Sequence, residues 1–86
     1  MKFSIIIATL NNKDTIERNL NSIKSQSFTD YEIIIIDGGS EDNTLEIVKS
    51  LNFKNLKIKI QNGKGVYGAF NEGINLSKGK IIIILN

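Results

Sequence analysis

The sequence predicts an α/β fold, a βαβαβαβ three-layer sandwich with helices on both faces of a mostly parallel sheet. Three observations carry this reading. Strand-like and helix-like segments alternate along all 86 residues, the pattern that yields parallel sheets covered by helices. The strand-like segments include unbroken isoleucine runs at 5–7, 33–36 and 81–84, the composition of strands buried on both faces. The helix-like segments place apolar residues at three- and four-residue spacing, as one buried stripe requires. No linker, repeat or low-complexity stretch interrupts the alternation, so residues 1–86 read as one small domain.

The elements follow in order. Residues 2–8 form a β-branched first strand. Asn11 and Asn12 then offer an N-cap, with Asp14 and Glu17 suited to a helix start. Ile16, Leu20 and Ile23 give the stripe of a helix over about residues 13–25. Residues 32–36 are the second strand. Asp37, Gly38, Gly39 and Ser40 make a turn, with Ser40 able to cap a helix that opens on Glu41 and Asp42 and buries Leu45, Val48 and Leu51. Leu56–Ile60 alternates and reads as a less buried third strand. A glycine-containing loop over 61–65 leads to a helix whose stripe is Val66, Phe70 and Ile74, closed by Lys78 and Gly79. Residues 80–85 are the fourth strand, followed by Asn86.

Composition removes several chemistries. The chain has no cysteine and no histidine. Disulfides, thiolate metal sites, and serine–histidine or cysteine–histidine catalysis are therefore excluded within it. The net charge is +2, and the densest basic group, Lys54, Lys57 and Lys59, reads as solvated lysines near a sheet edge rather than a nucleic-acid surface. The isoleucine runs are too short to cross a bilayer, and no secretory leader is evident at the start. A cytoplasmic location is the expectation.

Ligands of open parallel sheets bind beyond the carboxyl ends of the strands. Here those ends are residues 9–12, 37–40, 61–65 and Asn86, a polar and glycine-rich set. Two signals lie within it. Gly63, Lys64, Gly65, Val66, Tyr67 and Gly68 match the spacing G-x-G-x-x-G after a strand and before a helix. Against a dinucleotide site, the match follows the third strand instead of the first. Asn86 also stands where the ribose-binding acid belongs. The other signal is Asp37. Its carboxylate can face the N–H of a base or a ribose hydroxyl, or it can cap its own turn.

Five segments read together resemble one family. Residues 4–12 (SIIIATLNN) resemble the S-I-I-I-P-T-Y-N opening of family 2 glycosyltransferases. Leu20, Ser22, Ile23, Gln26, Phe28, Tyr31, Glu32 and the run ending at Asp37 are similar to that family's L-x-S-I-x-x-Q-x-F-x-x-x-E-I-I-I-V-D. Residues 37–44 (DGGSEDNT) resemble its D-G-x-S-x-D-x-T turn, and residues 65–74 its helix with A-x-N-x-G. Residues 78–86 are similar to the A-x-G-x-x-I-x-x-L-N that precedes its acidic metal motif. The chain departs from the pattern at Ala8 for proline, Leu10 for an aromatic residue, Gly38 for a second aspartate, and Gly63 for an acid.

The resemblance implies the Rossmann-like first half of a GT-A fold, and hence a single partial domain over residues 1–86. It implies that Thr9 and Asn11 lie beside the nucleobase and ribose. Asp37 would face the base, with Gly38 and Gly39 leaving room for it. Lys64, Tyr67 and Asn71 would lie near the diphosphate or sugar, and Asn86 at the mouth of the metal site. The resemblance implies transfer of a sugar from a nucleoside diphosphate donor to a glycan or lipid-linked acceptor, by in-line displacement at the anomeric carbon. Such synthesis of cell-surface polysaccharide or glycan would place the whole enzyme in the cytoplasm or at the inner face of the membrane. It further implies a divalent metal, manganese or magnesium, held by acids that follow Asn86, with catalytic residues and metal ligands outside this chain. Two alternatives of other classes stand beside this reading. One is a dinucleotide-binding protein using Gly63, Gly65 and Gly68. The other is a non-catalytic fragment that self-associates, as a homodimer, through an exposed sheet edge at residues 81–85.

Overall fold

A computed structural model describes residues 2–27, 29–61 and 65–85, with only the backbone of Val66. Gly63, Lys64 and Asn86, named above as candidate ligand-contacting residues, lie outside the described residues.

Seven elements follow one another: β1 (Phe3–Thr9), α1 (Ile16–Lys24), β2 (Tyr31–Asp37), α2 (Thr44–Ser50), β3 (Leu56–Ile60), α3 (Gly65–Leu76) and β4 (Ile81–Leu85). The strands form one sheet in the order β3-β2-β1-β4, parallel throughout. Right-handed crossovers explain the layers. The chain steps from β1 to β2 to β3 in one direction, which puts α1 and α2 on one face. It then crosses back past β2 and β1 to β4, which puts α3 on the other face. The expected three-layer α/β sandwich is the observed one.

The isoleucine runs divide by parity. Ile5, Ile7, Ile33 and Ile35 pack with Ile16, Leu20 and Ile23 of α1 and Val48 of α2. Ile6, Ile34 and Ile36 pack with Ala69, Phe70 and Leu76 of α3. Each strand of the pair β1–β2 is thus buried from both sides, as the unbroken runs predict. On the α3 face the helix comes close enough that a Cβ added at Gly73 would overlap the Ile6 side chain. Glycine is needed there for that approach.

The boundaries of the helices differ from expectation, and hydrogen bonds show why. α1 is regular only from Ile16: Asn11 sits at φ +52°, outside helical conformation, and residues 13–15 form a turn before the helix. Neither Asn11 nor Asn12 caps α1. The Asn12 Oδ1 accepts from the Leu10 N–H at 2.6 Å, and the Asn11 Oδ1 from the Glu41 N–H at 2.9 Å. α2 starts at Thr44, not after Ser40, since the Ser40 hydroxyl donates to Asp37 and the Thr44 N–H donates to the Asp42 carboxylate at 2.9 Å. In α3 the buried stripe runs through Ala69 and Gly73, while Ile74 is 40% exposed. Steps of four residues drift by about 40° around a helix, so a line from 66 to 70 to 74 leaves the buried face.

A polar cluster closes the amino end of the sheet. Glu32 is 1% exposed and takes the Ser4 hydroxyl and the Lys78 N–H, each at 2.6 Å, on Oε2. Lys57 Nζ lies 3.1 Å from its Oε1 and donates to the Leu76 carbonyl at 2.9 Å. Lys57 is therefore the counter-charge of a buried acid and not a solvated lysine. Lys59, 3.4 Å from Glu72, ties β3 to α3.

Candidate functional site

The reversal in strand order falls between β1 and β4, and the carboxyl ends of β1, β2 and β3 open on one side of it. A cavity of about 440 Å³ lies there, on the α3 face of the sheet. Ala8, Ile36 and Ala69 give it apolar walls. Thr9, Gly38, Gln61 and Gly65 bring polar side-chain or backbone groups around it. A volume of this size suits a small organic ligand, for which a mostly apolar cleft with a few fixed polar groups is the usual build.

Asp37 organises the loop beside the cavity. It is fully buried, and it faces its register partner Thr9 across β1–β2. Its Oδ1 accepts the Thr9 hydroxyl at 2.7 Å and the Ser40 hydroxyl at 2.6 Å. Its Oδ2 accepts the N–H of Gly39 at 3.0 Å and of Ser40 at 2.7 Å. Burial by itself disfavours the charged carboxylate, but these donors outweigh it and hold the Asp37 pKa below its ordinary value. The ionised side chain is thus spent on its own turn. The turn also needs φ +99° at Gly39, which a residue with a Cβ adopts only under strain.

A second set of bonds locks the β1–α1 loop to the β2–α2 loop. The Asn11 N–H donates to Ser40 Oγ at 2.9 Å, and the Asn12 N–H donates to Thr44 Oγ1 at 2.8 Å. The two loops that flank the cavity are therefore tied directly to each other.

The candidate residues sort into three groups. Thr9 and Gly38 line the cavity. Asn11, Asp37 and Gly39 do not line it but fix the loops that do. Tyr67, 84% exposed, and Asn71 lie on the outer side of α3 and are not brought to the cavity. Leu10 and Gln61 fall within the strand-end segments 9–12 and 61–65 but were not named as ligand-contacting residues, and both line the cavity. Leu10, 57% exposed, stands at the mouth. Gln61 is 7% exposed; its Nε2 donates to the Gly65 carbonyl at 3.0 Å, and its Oε1 has no partner among the described residues. An acceptor buried in that way costs roughly 1–3 kcal/mol. Its place as the first residue beyond β3 put Gln61 in the strand-end set, and only its burial and bonding single it out there. Among the described residues there is no group of three or more acidic, histidine or cysteine side chains that could hold a metal ion.

A parallel sheet in the order β3-β2-β1-β4, with a buried acid at the end of β2 and a cavity at the carboxyl ends of β1, β2 and β3, defines an α/β fold of the Rossmann-like type. The chain belongs to glycosyl transferase family 2, whose family model matches residues 4–86. The glycosyltransferase AglE of Haloferax volcanii is 36% identical over 88 residues, covering 96% of this chain and 29% of AglE. The crystal structure of S. aureus TarS 1-349 superposes with a TM-score of 0.92 at 32% identity, over 99% of this chain and 27% of that one. TarS has also been crystallised in complex with UDP-GlcNAc. The mannosyltransferase PcManGT of Pyrobaculum calidifontis, in complex with GDP-Man and Mn2+, shares the fold with a TM-score of 0.79 at 23% identity, covering 94% of this chain and 26% of that one. The chain thus spans about a third or less of these relatives. Of the glycine run, Gly65 lines the cavity at the start of α3 and Gly68 lies within that helix.

Proposed function

We propose that this chain supplies the donor-nucleotide half of a glycosyltransferase that moves a sugar from a nucleoside diphosphate to an acceptor in glycan or polysaccharide synthesis. The cavity of about 440 Å³ at the carboxyl ends of β1, β2 and β3 carries the reading, and the UDP-GlcNAc complex of TarS supports it. In this assignment the base lies on Ala8, Ile36 and Ala69, between Thr9 and Gly38. Asn11, Asp37 and Gly39 hold the loops around it, and Lys64 is assigned to the diphosphate-sugar side, whereas Tyr67 and Asn71, on the outer side of α3, are not. The described residues do not fit a divalent metal. Asp37 is saturated by protein donors, and no acidic cluster is present among them. The manganese or magnesium of such an enzyme is therefore assigned to residues other than the described ones, near Asn86, and no step of the transfer is built on it here. The acceptor, glycan or lipid-linked, is likewise bound elsewhere. Among the described residues no helix is long and apolar enough to cross a membrane, and the proposal sets the enzyme in the cytoplasm or at the inner membrane face.

Nuclear magnetic resonance titration of the isotope-labelled chain with UDP and GDP, with and without manganese, tests this. Binding should be weak, around millimolar, with shift changes concentrated at Thr9, Gly38 and Gln61. Saturation with no change at these amides would remove the nucleotide assignment.

A further inference from the structure

The geometry points to Gln61 as the residue that reads the base: its side-chain carbonyl accepts the imino N–H that uracil, thymine and guanine carry and that cytosine and adenine lack. This inference rests on the nucleotide reading of the cavity. The acid at the end of β2 would be the obvious acceptor for such an N–H. Here all four of its acceptor positions are filled by Thr9, Gly39 and Ser40, and the side chain is fully buried. Asn12, which also lines the cavity, already accepts the Leu10 N–H at 2.6 Å on one of the two lone pairs of its Oδ1.

Gln61 is differently placed. Its backbone N–H donates to the Asp37 carbonyl at 2.8 Å, which extends the β2–β3 ladder by one residue and sets Gln61 beside the acid's own turn. Its amide nitrogen is pinned to the Gly65 carbonyl at the first residue of α3. That bond fixes which end of the amide remains available. The remaining end is Oε1, a buried atom with no donor among the described residues, on a residue that lines the cavity. A ligand N–H would satisfy it. A ring nitrogen carrying a lone pair, as in cytosine or adenine, would instead set acceptor against acceptor. A site whose buried polar group is left unpaired by the wrong ligand discriminates more strongly than one relying on shape.

The test is a titration of the full, isotope-labelled chain with UMP, CMP, N3-methyl-UMP, GMP and AMP, following the backbone amides and the side-chain amide of Gln61. UMP should bind about tenfold more tightly than CMP and N3-methyl-UMP, and should shift the Gln61 side-chain resonances. The GMP arm separates a purine-accepting cavity from a pyrimidine one, and AMP should bind as poorly as CMP. In Gln61→Leu the preference of UMP over CMP should collapse. Because that variant also loses the bond to Gly65, the N3-methyl comparison on the unaltered chain decides the matter by itself. Equal affinity for UMP and N3-methyl-UMP overturns the role of Gln61 while leaving nucleotide binding intact. No binding of any of the five nucleotides overturns both readings.

Discussion

A carboxylate offers about four acceptor positions, and Asp37 fills them with the hydroxyls of Thr9 and Ser40 and the N–H groups of Gly39 and Ser40. Asp37→Asn keeps the shape but turns one oxygen into a donor, so two of these donors lose their acceptor. At roughly 1–3 kcal/mol for each buried group left unmatched, the variant should be several-fold to many-fold less folded at equilibrium. Urea denaturation would show it as a lower midpoint, and an unchanged midpoint would mean that the turn is held by other bonds. The sequence made Asp37 visible, because an acid between an isoleucine run and two glycines is conspicuous. It left open whether the acid meets a ligand or its own loop. The deciding donors come from a residue 28 positions away in register and from backbone N–H groups, neither of which shows in residue types. Gln61 stood in the strand-end segment 61–65 but was not singled out for the same reason, since what sets it apart is one bond to Gly65 and an Oε1 with no partner among the described residues.

The elements were largely legible, and the helix starts were not. Period and composition locate β1, β2 and β3 to within a residue or two. Asn12 and Ser40 look like caps, yet the Asn12 side chain is drawn into its own loop and the Ser40 hydroxyl meets the Asn11 N–H of the neighbouring one. A buried tie of the same kind joins the elements at the amino end of the sheet. Glu32 on β2 receives Ser4 from β1, the Lys78 N–H from the α3–β4 connection and Lys57 from β3. Burial opposes its charge, but these partners prevail and its pKa lies below the ordinary value of 4.5. Asp37 is lowered from 3.8 in the same way. A carboxyl with a depressed folded pKa stabilises fully above its unfolded value and loses that contribution as pH falls through the folded one. Thermal unfolding midpoints should therefore hold near neutrality and drop between about pH 5 and about pH 3. Glu32→Gln, less stable at neutral pH, should show a shallower drop over that window. A wild-type midpoint that stays flat down to about pH 3 would contradict the assignment.

At the scale of the whole molecule, order and handedness decide which strands are covered. Two steps one way and one long step back leave α1 and α2 on one face and α3 over β1 and β2 on the other. β4 shares the composition of the inner strands but not their surroundings. Its run of isoleucines predicts burial on both faces, yet Ile81, Ile82 and Ile84 are 44%, 40% and 45% exposed. Composition reports what a strand is suited to, and only topology reports what covers it. Ile83 and Leu85 do reach the cluster under α1 and α2, so the bare side is that of Ile82 and Ile84, continuous with the outer edge of the strand. An apolar edge strand with unpaired backbone groups is a template for another strand. We therefore expect the chain to self-associate through β4, with light scattering showing dimers or larger species as concentration rises. Ile82→Lys together with Ile84→Lys should restore a monomer with an unchanged circular dichroism spectrum, since a charged edge resists pairing. A monodisperse wild-type monomer at high concentration would show that the exposed isoleucines do not direct association.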